Sequence, residues 1–195
     1  MNIGLTGGIG CGKSTVLACF HEAGATVMET DGIVRELLAV DAELISLVRE
    51  NFGTEVLDPE GKVDRRALAA RVFHNSEALA LLESLVHPRV RQCWTRALGE
   101  NHPVLIIEIP LLFEKDLQGH FSSTICVSSH PEVQAQRLKA RGMSESQIQY
   151  RKDRQFSLEE KMHRADIILH NNGSLGHLRE QVERVMSRFS GGCGQ

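Results

Sequence analysis

Asn2-Ile-Gly-Leu-Thr-Gly-Gly-Ile-Gly-Cys-Gly-Lys-Ser-Thr15 is the stretch on which the fold turns. Asn2 to Thr6 reads as a short apolar strand. Gly7-Gly8-Ile9-Gly10-Cys11-Gly12-Lys13-Ser14 then matches G-x-x-x-x-G-K-[ST] at every fixed position, and Lys13 to Ala23 reads as a helix closed by Gly24. A strand that passes through glycines into a helix is the setting in which this pattern holds phosphate. Backbone N–H groups can curl inward with no Cβ in the way, and the helix adds its positive end. Lys13 is placed to reach the outer phosphates of a nucleoside triphosphate, and the Ser14 hydroxyl to ligate Mg²⁺.

Working outward, Ala25 to Met28, Val104 to Ile109, Ser123 to Val127 and Ile167 to Leu169 are further apolar runs of strand length. Helical stretches separate them. Asp41 can cap a helix whose buried stripe is Leu44, Ile45, Leu47, Val48 and Phe52. Residues 64 to 73 and 76 to 99 read as polar helices, the second interrupted at Pro88. Pro131 suits a first turn, Gly142 an end, and Ser144 to Gln147 has capping-box spacing. Leu175, Leu178, Val182, Val185, Met186 and Phe189 form the apolar stripe of a last helix. Strands alternating with helices predict an α/β fold: a mainly parallel sheet of about five strands with helices on both faces, its ligands at the C-terminal strand ends. Ser190 to Gln195 reads as a flexible tail.

The 195 residues, 42% hydrophobic and 24% charged, suit one globular chain and exclude disorder and coiled coil. Five cysteines without a C-x-x-C pair exclude a disulfide framework or a structural zinc site and fit a reducing cytoplasm. No apolar run approaches the roughly 20 residues of a membrane span, and no charged-then-apolar leader precedes Gly4. The net charge of −3 conceals two basic segments. Residues 62 to 96 hold seven Lys/Arg against three Asp/Glu, and residues 137 to 164 hold eight against four. Either these are solvated helix faces, or they serve a polyanionic ligand, for which the 16 arginines are better suited than the 6 lysines.

A triphosphate-binding loop leaves the second substrate open. Asp31 follows the strand Ala25 to Met28, so it belongs at the same sheet edge as the loop. There it can take the proton of an attacking hydroxyl, hold Mg²⁺ waters, or cap the helix Gly32 to Leu38. Glu108 ends a buried strand, the position of an acid that orients metal-bound water, whereas Glu114 reads as an exposed helix residue. Arg137 and Arg141 stand i, i+4 and can clamp phosphoryl oxygens, or simply form a solvated basic face. Nine scattered histidines show no metal spacing.

Leu5 to Thr15, Asp31, Arg65-Arg66-x-Leu68, His87-Pro88, Pro110-Leu-Leu-Phe-Glu114, Gln155, Lys161, Ala165-Asp166 and Asn171-Asn-Gly173 together resemble the dephospho-CoA kinase family, in order, from about residue 2 to 186. The resemblance implies a P-loop kinase fold and transfer of the ATP γ-phosphoryl group to the ribose 3′-hydroxyl of dephospho-CoA, the last step of coenzyme A synthesis. By it, Gly8, Gly10, Cys11, Gly12, Lys13, Ser14 and Thr15 bind ATP and Asn172 and Gly173 lie near the adenine. Asp31 becomes the catalytic base. Arg137 and Arg141 belong to a lid at about residues 137–164, and Arg65, Arg66 and His87 to a helical CoA-accepting insertion at about residues 62–99 of a single kinase domain. The implied partners are ATP with Mg²⁺ and dephospho-CoA, with no nucleic acid and no membrane, for a monomer or small homo-oligomer.

Three positions depart from the family's habit: Cys11 replaces a common Ser, Glu29-Thr-Asp31 replaces Asp-x-Asp, and Glu108 replaces an Asp. The first sets a thiol that could oxidise beside the phosphates. Other readings stay open at this point. One is a P-loop kinase for another nucleotide or sugar. Another is a GTP-dependent switch, since Asp58-Pro-Glu-Gly61 matches D-x-x-G, although no N-K-x-D motif accompanies it. An ABC-type ATPase is a third, on Ser190-Gly-Gly-Cys-Gly-Gln195 alone, and its position after the last helix makes the match a coincidence.

Overall fold

The computed structural model describes residues 1–73 and 75–190. Five strands, β1 (Asn2–Gly7), β2 (Thr26–Glu29), β3 (Leu105–Glu108), β4 (Ser123–Ser128) and β5 (Ile167–His170), form one sheet in the order β2-β3-β1-β4-β5. All four pairings are parallel. The strands therefore end on one edge, where β1 runs into the phosphate loop and Glu29 stands in register with Glu108. β3 is buried at all four positions, as the apolar run Leu105 to Ile107 requires, and its last residue, Glu108, is buried with them.

The chain divides into two compact units, Met1–Glu29 with the residues from Asn101 onward, and Thr30–Glu100. In the first, α1 (Lys13–Glu22) and α9 (Leu175–Ser190) pack together on one sheet face. Val16, Leu17 and Phe20 of α1 and Leu178, Val182 and Val185 of α9 close over Ile3, Leu5, Ile106, Ile125 and Val127. On the other face Leu112 and Phe121 press against Gly4, where a Cβ would come within 2.9 Å of the Phe121 ring. The same unit contains α6 (Pro131–Ala140), α7 (Glu145–Asp153) and α8 (Leu158–Arg164). The expected capping box is present at Ser144, but α7 has no fully buried residue. The pattern did not reveal α8. Of its seven residues only Lys161 is buried, and a lysine is read as surface.

The second unit is helical: α2 (Thr30–Val40), α3 (Ala42–Phe52), α4 (Arg65–Phe73) and α5 (Ser76–Leu98). Asp41 caps α3 through Leu44 N at 2.9 Å, as expected. Pro88 does not interrupt α5, which runs 23 residues through it, and Arg89 reaches back to the Leu85 carbonyl at 3.2 Å. Pro88 forfeits a single backbone bond there. Arg89 also pairs with Glu43 at 3.1 Å and Asp41 at 3.5 Å, tying α5 to the start of α3. The D-x-x-G match at Asp58 is a self-contained turn, with Asp58 Oδ1 accepting from the N–H groups of Glu60 and Lys62. The expected insertion at residues 62–99 falls inside this unit, which starts at Thr30 and so includes Asp31. Residues 191–195, most of the expected tail, lie outside the described residues. Cys11, Cys19, Cys93 and Cys126 are free thiols.

Candidate active site

α1 begins at Lys13 with Gly12 as its cap residue, in the left-handed conformation and without a side-chain cap. The first N–H groups of the helix are thereby left open to an anion. The loop before it is fixed from below. The Cys11 carbonyl accepts three hydrogen bonds, from Asn171 Nδ2 at 2.9 Å, Arg137 Nη1 at 3.1 Å and Ser129 Oγ at 3.2 Å. Arg137 also donates to the Gly10 carbonyl (3.4 Å), Ser129 Oγ (3.0 Å) and the Asn171 carbonyl (3.0 Å). Ser129 follows β4 and Asn171 follows β5, so the two neighbouring strand ends hold the loop that leaves β1. Gly12 is obligatory on two counts: its φ is +82°, and a Cβ would sit 2.3 Å from Asn171 Nδ2.

The side chains above the loop meet carboxylates from the strand ends. Lys13 Nζ lies 3.9 Å from Glu108 Oε1 and donates to the carbonyls of Gly7 (3.3 Å) and Gly8 (3.4 Å). The Ser14 hydroxyl donates to Glu29 Oε1 at 3.3 Å. Lys13, Ser14, Glu29 and Glu108 thus form one polar group at the sheet edge, with Thr15 exposed beside it. The Cys11 side chain turns the other way. It is fully buried in the apolar core, and burial pushes its thiol pKa up against a smaller opposing pull from Lys13. A buried thiol held in its protonated form is a poor redox sensor.

Arg137 is half-buried and committed to the loop, whereas Arg141, the residue that ends α6, is exposed. Asn172 Oδ1 accepts from His130 N at 2.6 Å, and Gly173 is exposed next to it. Asp31 lies in the first turn of α2, exposed, and does not precede that helix as a cap. Among the described residues its carboxylate has no hydrogen-bond or ion-pair partner. Arg65 and Arg66 open α4 with exposed side chains, and His87 is exposed in the middle of α5.

Two features were not read from the sequence. A cavity of about 870 Å³ opens beside Gly8 and Ile9. Its walls are Gln134, Leu138 and Lys139 of α6, Ile148 and Lys152 of α7, and the segment Gln155 to Leu158. Glu114, expected to be an exposed helix residue, lies instead in a turn with its side chain 9% exposed, paired with the fully buried Lys161 at 2.9 Å. Ser129 also escaped, and Asn171, though part of the Asn171-Asn-Gly173 stretch, was given no role under the loop; polar residues directly after parallel strands are a signal that could have found both.

The family model for dephospho-CoA kinase matches residues 1–177. Among curated proteins, a dephospho-CoA kinase of Bacillus cereus is 36% identical over 193 residues, covering 96% of each chain. That of Bdellovibrio bacteriovorus is 38% identical over 188 residues, covering 94% of each. Of solved structures, a Thermus thermophilus protein superposes with a TM-score of 0.78 at 37% identity, over 96% of this chain and 97% of that one. Dephospho-CoA kinase from Campylobacter jejuni gives 0.68 at 27% identity over 98% of both. Shikimate kinase from Acinetobacter baumannii, at 15% identity and 0.55, shares the fold.

Proposed function

Because this chain belongs to the dephospho-CoA kinase family, we propose that it transfers the γ-phosphoryl group of ATP to the ribose 3′-hydroxyl of dephospho-CoA, giving coenzyme A and ADP. The observation that carries the reading is the loop itself: a braced phosphate cradle with Lys13 and Ser14 above it, facing carboxylates from two strand ends. The triphosphate lies along Gly8 and Gly10 to Thr15, with Lys13 at the β- and γ-phosphates and Asn172 and Gly173 towards the adenine.

Ser14, Glu29 and Glu108 offer only oxygen, the donor chemistry a hard cation takes. Among the described residues no group of three His, Cys, Asp or Glu could hold a metal ion alone, which suits an ion that keeps water and substrate phosphate as its other ligands. Ser14 would hold Mg²⁺ directly, and Glu108 through water. The ion's contribution is to neutralise charge on the phosphoryl oxygens.

Asp31 takes the proton of the 3′-hydroxyl as that oxygen attacks the γ-phosphorus in line with the leaving ADP. Its exposed carboxylate, without a competing partner among the described residues, supports that role. Lys13 and the exposed Arg141 offset charge on the transferring group, while Arg137 acts through the loop it holds. Arg65, Arg66 and His87 belong to the acceptor side. The free cysteines support a cytoplasmic setting, and no described helix is long and apolar enough to cross a membrane.

The deciding measurement is ADP release from ATP and Mg²⁺ with and without dephospho-CoA, beside a panel of nucleotides and sugars. Strong stimulation by dephospho-CoA, with coenzyme A formed, is expected. Stimulation by another acceptor alone would overturn the assignment.

A further inference from the structure

α7 buries no residue fully, so its place is set by its two connections more than by a core of its own. The second connection leads through Arg154 to Leu158, and there the Phe156 N–H donates to Glu114 Oε1 at 2.8 Å. The same oxygen takes Lys161 Nζ at 2.9 Å. Lys161 Nζ also donates to the Pro110 carbonyl at 2.6 Å, and that carbonyl accepts from Thr6 Oγ1 at 3.2 Å. One continuous chain of hydrogen bonds therefore joins Thr6, the residue before the phosphate loop, to the turn after β3, to α8, and to the connection that carries α7.

What this chain positions is the wall of the cavity beside Gly8. Gln155, Phe156, Ser157 and Leu158 line it, together with Lys152 from α7 and Lys139 from α6. Stability alone is a weak reason for the pair. Lys161 is completely buried, its pKa pushed down by that burial against the pull of Glu114. Glu114 Oε2 is buried with no hydrogen-bond partner among the described residues. An apolar pair of similar volume is often as stable or more so, whereas a buried ion pair fixes geometry.

We propose that Glu114 and Lys161 are positioning residues for phosphoryl transfer, a buried pair that sets the Gln155–Leu158 wall and α7, with its Lys152, against the phosphate loop. The proposal rests on the kinase reading and deepens it. Neither residue touches the reacting atoms. Their effect is on whether Lys152 and its neighbours stand over the phosphates and whether water is kept from them.

The test compares the wild-type chain with the double variant Glu114→Leu/Lys161→Met, which removes both charges together, and with Glu114→Gln, which keeps the shape and an acceptor for Phe156 N–H. The double variant should melt at or above the wild-type temperature. It should keep its KM for ATP yet lose at least about tenfold in kcat, since a misplacement of about 1 Å can cost on the order of 10²-fold. ADP released per acceptor phosphorylated should rise above one, which a purely structural pair would not cause. Glu114→Gln should show the same excess of ADP with a smaller loss of kcat, so the outcome stands even if the double variant fails to fold. Amide exchange gives a readout independent of any acceptor: residues 145–157 should exchange faster in both variants, with the sheet unchanged. Wild-type coupling and unchanged exchange in the folded variants would overturn the proposal. A wild-type chain that forms no coenzyme A would instead overturn the functional reading.

Discussion

Replacing Gly12 by alanine isolates what holds the phosphate loop in shape. At a φ of +82° a residue with a Cβ is disfavoured by roughly 1–2 kcal/mol. The new Cβ would sit 2.3 Å from Asn171 Nδ2, so the amide must leave the Cys11 carbonyl. A buried amide that loses its partner costs about 1–3 kcal/mol. The sum centres on about 3.5 kcal/mol, or roughly 7–14 °C in Tm for a chain of this size. Asn171→Ala alone is milder, about 1–2 kcal/mol, because Arg137 and Ser129 still donate to the Cys11 carbonyl. In the Asn171→Ala background the clash with the amide is gone, and what should remain is roughly 1–2 kcal/mol of backbone strain and a tight 3.2 Å approach to Arg137 Nη1. Thermal melts of the wild type, both single variants and the double variant measure the coupling, expected to be on the order of 1 kcal/mol or more. An equal drop in Tm from Gly12→Ala in both backgrounds would refute the argument that Asn171 is the wall against which this glycine is required.

Asp31→Asn should leave the KM for ATP unchanged and lower kcat by ~10²-fold or more, the usual scale for a general base; near-normal turnover would remove Asp31 from that role. Arg137→Met withdraws its donors from Gly10, Cys11, Ser129 and Asn171 at about 1 kcal/mol each, so the KM for ATP should rise at least about tenfold. A fall in kcat with KM unchanged would place Arg137 on the transferring phosphoryl group instead. Burial raises the Cys126 thiol from 9.0 to about 12. The folded chain therefore keeps this proton where the unfolded chain has lost it, and stability should decline between pH 9 and about 12 by up to about 1.4 kcal/mol per pH unit. Urea melts of Cys126→Ala should show a flatter alkaline limb, and an identical slope would count against the buried thiol.

What could be read from the sequence is what neighbouring residues decide among themselves. Gly7 to Ser14 states its own geometry because the conformations it needs are local, and β1, β3 and β4 announce themselves because strands buried on both faces carry mostly apolar side chains. Pairings between distant residues leave no such trace. Arg137 shows an i, i+4 partner in Arg141 that invites a phosphate clamp, while the carbonyls it holds belong to Gly10, Cys11 and Asn171. Glu114 and Lys161 look like surface charges for the same reason: each is hidden by the other, and a charge is ordinarily left exposed unless a partner waits in the interior. A charged residue inside an otherwise weak pattern, such as Lys161 in the seven residues of α8, is therefore ambiguous between a solvated face and a buried pair. Only the geometry separates them: the pair costs desolvation of two charges, and here it joins the strand entering the phosphate loop to the arm above the loop, where geometry matters more than stability.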